Sequence, residues 1–374
     1  MDMVRPTKLV VDTNAIKHNI KQIENIVGKQ VTVMPVVKAI GYGTGIDTVF
    51  SIFDDLKIDI LAVAVTDEGI RLRKQGFTGE IFILNQPYED EIVKMLEYDL
   101  TPGICLAEFV KKLNKLAKES NKIAKVHLEI DTGMGRTGIN PGEIDEYIQL
   151  FKQLENIKLD GIYTHFSSSD TDADYTKEQI EKFNNILKIV KQNFRDIKYI
   201  HACNTGGIIN FPEAHYNMVR PGISVYGHLP NEKLKGRINL IPATVLKTKI
   251  TYIHEKNSGD SISYNRTYIV GASSARKSKK PMKVGTVPIG YGDGIMRCYK
   301  GKVVVNGRLA NILGVVNMDS LMIDITDFEY VKTGTDVYIW DNENITVEDI
   351  AKECGTINYE ILSRLAPRVV REFI

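Results

Sequence analysis

Apolar residues in this chain gather in short runs separated by stretches of helical spacing. The runs fall at 32–39, 59–66, 80–85, 100–105, 125–131, 159–166, 199–204 and 218–223. Most are continuous rather than alternating, as parallel strands covered on both faces require. Between them, 107–119 and 176–192 carry the three-to-four-residue spacing of amphipathic helices. Eight strands with interleaved helices predict an α/β fold, a (β/α)8 TIM-type barrel over 1–240, close to the ~250 residues such barrels need. An open doubly wound sheet is the alternative; the count of eight favours closure. Beyond Leu240 the texture changes. Runs at 244–254, 283–288, 302–313, 321–325 and 336–340 follow one another with turns and no helices between them. Asn306-Gly307 reads as a hairpin turn, because both residues tolerate positive φ. Thr346, Asp349 and Gly355 mark the start and end of one helix. A second, mainly β domain is therefore expected over 241–374.

Composition narrows the partners. The 374 residues suffice for two domains, and 43% hydrophobic residues suffice for folded cores. Lysine and arginine total 48 against 47 acids, so neither nucleic acid nor an anionic membrane is expected as partner. The apolar runs are strand-sized, far too short to span a bilayer. Cys105, Cys203, Cys298 and Cys354 are scattered without a CxxC pair, so neither a disulfide framework nor a metal site is expected. The N-terminus carries Asp2 and lacks the apolar stretch of a signal peptide, so a cytoplasmic location is expected.

Barrel enzymes place their chemistry at the C-terminal ends of the strands. Here those ends carry Lys38, then Asp131 to Arg136, His165, the Asn204-Thr205-Gly206-Gly207 turn, and Arg220-Pro221-Gly222-Ile223. Each has a plain reading: a solvated lysine, a core histidine, a glycine turn. Their joint placement is harder to set aside. A lysine on a buried strand can form a Schiff base, since desolvation favours the neutral amine. Backbone N–H groups near Asn204-Thr205 and Gly222-Ile223 can cradle a phosphate after strands seven and eight. Together these point to pyridoxal phosphate.

The chain resembles the alanine racemases over essentially its full length. The resemblance is carried by Val37-Lys38-Ala39 with Tyr42-Gly43, by 127–136, 161–166, 218–227, Ser263-Tyr264, 288–294, 314–319 and 356–360. It implies a cytoplasmic homodimer that makes a D-amino acid for cell-wall biosynthesis, each active site borrowing residues from the partner's β domain. Lys38 would bind the cofactor and act as base towards the D-enantiomer. Tyr264, from the other chain, would serve the L-enantiomer. His165 would stack near the cofactor ring in a line Tyr264–His165–Arg220. Arg220 would face the pyridine nitrogen and Arg136 the phenolic oxygen. Tyr42, Asn204, Thr205, Gly222, Ile223 and Tyr359 would hold the phosphate end. Arg136 and the Met318 backbone would meet the substrate carboxylate, and Tyr291 would guard the entrance. Two acid/bases on opposite faces of one carbon suffice for racemisation. Tyrosine titrates near ~10, so a tyrosine base needs cationic neighbours.

Three departures stand out. The family's first-strand motif loses an acid or amide and a histidine, leaving Ile40 and Thr44. A lysine that many members modify to a carbamate is Glu129, expected to orient Arg136 in its place; a solvated strand glutamate is the alternative. The usual cysteine before Met318 is Asn317. Retention of Tyr359 favours alanine over serine, because a smaller residue there would admit a hydroxymethyl group. Rival readings are a racemase of serine or broader range, a pyridoxal-phosphate decarboxylase, and a non-catalytic pyridoxal-phosphate-binding protein. Arg220 opposes the decarboxylase, which would place an acid at the ring nitrogen. The second domain opposes the non-catalytic binder.

Overall fold

A computed structural model describes residues 5–45, 51–272 and 281–374. The chain divides into two compact units, one of residues 15–41 and 45–241, the other of the first 14 residues, 42–44 and 242–374. The opening strand, β1 (Lys8–Val11), belongs to the second unit.

The first unit holds β2 (Thr32–Val33), β3 (Ile60–Val63), β4 (Glu80–Ile83), β5 (Thr101–Ile104), β6 (Ala124–Glu129), β7 (Ile157–Tyr163), β8 (Tyr199–His201) and β9 (Met218–Val219). They pair in the order β2-β9-β8-β7-β6-β5-β4-β3, and every recorded pairing is parallel. The remaining gap closes through Val36 and Ala62: Val37 N–H donates to Ala62 C=O at 2.8 Å and Ala62 N–H to Pro35 C=O at 2.9 Å. The expected eight-stranded barrel is therefore closed. Continuous burial along β3 explains its unbroken apolar run. Helices turn one apolar stripe inwards: Ala107–Glu119 buries Phe109, Val110, Leu113 and Ala117, and Ile144–Gln153 buries Ile144, Tyr147, Ile148 and Phe151. Aromatic rings fill the interior. Phe82 stacks on His127 with centroids 4.5 Å apart, and Tyr163 lies parallel to His201 at 4.9 Å. Gly161 makes room for this layer, since a Cβ there would fall 2.6 Å from the His127 ring.

The second unit is built on a nine-stranded sheet. Its later strands are β10 (Thr244–Lys249), β11 (Tyr252–Lys256), β12 (Ser261–Ile262), β13 (Tyr268–Ile269), β14 (Met282–Val287), β15 (Lys302–Val305), β16 (Arg308–Leu313), β17 (Leu321–Asp324), β18 (Asp336–Trp340) and β19 (Val370–Phe373). The order is β11-β14-β17-β16-β15-β18-β10-β1-β19, with β12 and β13 forming a separate ribbon. Two expectations need correction. The expected barrel range of 1–240 includes residues 5–14, yet β1 pairs antiparallel with β10 and parallel with β19. The run at 244–254 is two strands, because Ile250 pairs with the turn at 334–335 while Thr251 N–H turns to Thr286 C=O. The hairpin at Asn306-Gly307 is present with φ of 47° and 71°. Thr346 and Asp349 cap Val347–Cys354 reciprocally, and Gly355 ends it in the left-handed region.

A buried carboxylate ties this unit's segments together. Asp293, fully buried, pairs with Arg5 through both oxygens and with Arg368 Nε at 2.7 Å, and accepts the Gly290 N–H at 2.9 Å. Replacing Asp293 with alanine leaves two guanidinium groups without their common partner. The remaining arginines are partly exposed, so the expected loss is about 1–3 kcal/mol of unfolding free energy, chiefly from lost hydrogen bonds, read from urea denaturation; a loss below about 0.5 kcal/mol would contradict this role.

Candidate active site

Strand pairing ends at Val37, one residue before the lysine that was expected inside a strand reaching residue 39. Lys38 instead opens a left-handed turn: Ala39, Ile40 and Gly41 have φ of 53°, 58° and 58°. For residues with a Cβ this conformation costs roughly 1–2 kcal/mol each. Hydrogen bonds hold it in place. Gly41 N–H donates to Val37 C=O and Gly45 N–H to Ile40 C=O. The Ala39 N–H donates to Glu68 Oε1 at 2.6 Å, and Glu68 Oε2 accepts the Ala64 N–H at 2.8 Å. Glu68 thus clamps the lysine turn to the end of β3. Sequence reasoning missed it, since an acid in the first turn of a helix, here Thr66–Lys74, needs no function.

The lysine is half-buried. Burial lowers its pKa first, Arg136 and Arg220 lower it further, and Glu68 opposes them. The neutral, nucleophilic amine is favoured accordingly. Arg220 is only 2% exposed. It gives Nη1 to His201 Nδ1 at 2.6 Å, and Nη2 to Thr164 C=O at 2.8 Å, Ala202 C=O at 3.0 Å and His165 Nδ1 at 3.3 Å. None of these bonds uses Nε. Burial pushes its pKa down to about 10, so it stays a cation at neutral pH. Guanidinium can only donate, so His165 Nδ1, the most distant of three acceptors sharing the two Nη2 hydrogens, accepts in this contact. Its proton then sits on Nε2. Burial and the charges of Arg220, Arg136 and Lys38 hold this imidazole neutral.

The loops after β8 and β9 meet through their side chains. Thr205 Oγ1 lies 2.9 Å from Ser224 Oγ, and both residues are buried. Asn204, expected at the phosphate, spends its Oδ1 on the Gly207 N–H at 3.0 Å and on Ser169 Oγ at 2.6 Å. It shapes the turn. Thr205 and Gly206, and Ile223 and Ser224, open their short helices, so their N–H groups have no partner within their own turns. Ser224 was not foreseen; a lone serine carries no signal until the loops are brought together. Glu129 ends β6 and is 3% exposed, which rules out the solvated alternative. Burial raises its pKa, against the Thr137 and Tyr163 hydroxyls and the charges of Arg136 and Arg220. Arg136 itself is exposed.

The structure therefore groups Lys38, Arg136, His165, Asn204, Thr205, Arg220, Gly222 and Ile223 in the barrel unit. The other expected residues lie in the second unit. The Tyr42 and Tyr359 rings stand 6.1 Å apart. Tyr264 is 68% exposed and lies between Ser263, Asn265 and Arg266, all at positive φ. Ser263, Tyr264 and Asn317 line a cleft of about 520 Å³. Tyr291 and Met318 are also exposed, joined through Gly292 N–H to Met318 C=O at 2.8 Å.

Residues 11–230 match the alanine racemase N-terminal domain model and 243–373 the C-terminal domain model. The chain belongs to the alanine racemase family. Its relatives include alanine racemase 2 of Caldanaerobacter subterraneus, 39% identical with 100% of this chain and 96% of that protein covered. The alanine racemase of Methanococcus maripaludis is also 39% identical, over 97% of each chain. Among solved structures, alanine racemase from Clostridium difficile superposes with a TM-score of 0.94 at 33% identity, covering 100% and 97% of the two chains. The Bacillus anthracis alanine racemase with bound L-Ala-P gives 0.92 at 33%, covering 100% and 96%. The family's pairing of a barrel with a β domain is the architecture seen here.

Glu68 offers a direct test of the lysine's surroundings. Glu68→Gln removes the charge that raises the Lys38 pKa, so the midpoint of Lys38 acylation against pH should move down. Glu68→Ala also frees the Ala39 N–H and should weaken cofactor binding by on the order of tenfold to a hundredfold, the worth of a charge-assisted hydrogen bond. Wild-type midpoints and affinities in both variants would show that Glu68 serves only its helix.

Proposed function

We propose that Lys38 and Tyr264 are the two proton-handling groups with which this enzyme, a pyridoxal-phosphate-dependent isomerase, interconverts L- and D-alanine. The observation that carries the reading is Lys38 itself. A half-buried amine, its pKa lowered by burial and by the charges of Arg136 and Arg220, opens a turn clamped by Glu68 at the end of a barrel strand. The residues fit the cofactor. Lys38 is poised to condense with a carbonyl. The Thr205–Ser224 hydroxyl pair and the leading N–H groups of two turns suit a phosphate. Gly222 and Ile223 bring that backbone up, and Tyr42 and Tyr359 supply phenols for the same end. Asn204 braces the turn. Bound there, pyridoxal phosphate withdraws electrons and acidifies the amino acid's α-hydrogen.

Lys38 Nζ takes or returns the proton on one face and the Tyr264 oxygen on the other. Tyr264 comes from the partner of a homodimer. Its exposure on a turn of positive φ supports a role outside its own unit. His165, neutral and protonated at Nε2, offers that N–H to the Tyr264 oxygen. Arg220, a fixed cation, would hold the ring-nitrogen end of the cofactor and keep a proton off it. That would limit electron withdrawal and favour simple reprotonation over transamination. Arg136 would hold the phenolic oxygen and, with the Met318 N–H, receive the substrate carboxylate; Tyr291 would stand at the entrance. Buried Glu129 orients Arg136 without a carbamate. Bulky Tyr359 favours alanine over serine. Among the described residues no helix is long and apolar enough to cross a membrane, which accords with a cytoplasmic source of D-alanine for the cell wall.

Chiral chromatography after incubation with single enantiomers is the direct test: alanine should racemise and serine should not. Tyr264→Phe should lose racemisation by about 10²–10⁴-fold, yet still exchange the α-hydrogen of D-alanine with deuterated solvent through Lys38. Racemisation at the wild-type rate in that variant would remove Tyr264 from the mechanism. Glu129→Gln should impair turnover, and bicarbonate should leave the wild type unchanged; activation by bicarbonate would contradict the role given to Glu129.

A further inference from the structure

His127 lies on β6 with no exposed surface, and no step above uses it. Its Nδ1 stands 2.9 Å from His201 Nε2, and His201 Nδ1 stands 2.6 Å from Arg220 Nη1. The donor directions follow from one end. Arg220 can only donate, so His201 Nδ1 accepts and its proton lies on Nε2. That proton points at His127 Nδ1, which must accept in turn. His127 therefore carries its own proton on Nε2, and Nε2 has no hydrogen-bond partner among the described residues. Both imidazoles are held neutral, chiefly by burial.

A buried donor without a partner is unfavourable. An apolar side chain would fill the same space against Phe82 without that cost. Gly161, moreover, leaves its face bare where a Cβ would collide with the imidazole. The polar atom that repays these concessions is Nδ1. We propose that His127 is a positioning residue for Arg220: by accepting the His201 Nε2–H, it holds the His201 lone pair on the guanidinium. The ring of His201 is then pinned at both nitrogens and by Tyr163 stacked on its face. The guanidinium is fixed at the end away from its Nε. This rests on the reading that Arg220 serves the racemase site.

The first test needs no variant and no cofactor. A long-range proton–nitrogen NMR spectrum of the protein should show His127 and His201 neutral and both protonated at Nε2. His201 protonated at Nδ1, or at both nitrogens, would overturn the proposal. The second compares His127→Gln, whose amide oxygen can accept, with His127→Leu, which cannot. The leucine variant should lose about tenfold in kcat, roughly one hydrogen bond to a charged group's partner, with KM little changed. The glutamine variant should recover most of it. An unaffected leucine variant, or equal losses in both, would reduce His127 to packing and overturn the role. Should the leucine variant not fold, the wild-type spectrum and the glutamine variant still decide. A wild type without racemase activity would defeat the functional reading instead, whatever the tautomers are.

Discussion

The Arg220 guanidinium is buried and has only protons to offer. Every group it touches must therefore accept, and this fixes protonation through the heart of the barrel. Two carbonyls anchor it, and two histidines take their tautomers from it. Burial alone would favour a neutral group here, yet arginine holds its charge where lysine would surrender it. The same cation lowers the proton affinity of Lys38 and His165. One side chain thus adds to what burial already does to the proton affinities of the site.

The lysine's position depends on backbone geometry as much as on charge. A left-handed turn follows Lys38 directly, and residues with a Cβ resist that conformation. The opposing stabilisation comes from Glu68, whose two oxygens bridge the turn and the segment after β3. Strain at Ala39 and Ile40 is balanced by the Glu68 carboxylate, whose charge also opposes the fall in the Lys38 pKa. One carboxylate thus acts on both the backbone turn and the amine.

The second unit solves a different problem. Its sheet incorporates strands from both ends of the chain, β1 and β19, side by side. Asp293 joins the N-terminal Arg5 to Arg368 near the C-terminus. Exposed Tyr264, Tyr291 and Met318 are carried by turns on this framework.

Much was legible in the residues alone. The barrel strands announced themselves because parallel strands are apolar on both faces, and the hairpin at Asn306-Gly307 because its turn needs positive φ. The motifs named the family. Other features were invisible. Strands as short as β1 and β19 have no period to read, and the break at Ile250 lies inside a strand-like stretch with no Gly or Pro to mark it. Glu68, Ser224 and His127 each look ordinary in one dimension. Local chemistry determined which segments could be strands, helices and turns, because propensity and burial pattern act along the chain. Tertiary structure alone decided which nitrogen carries a proton and which acid clamps the lysine turn, because those choices depend on neighbours far away in sequence.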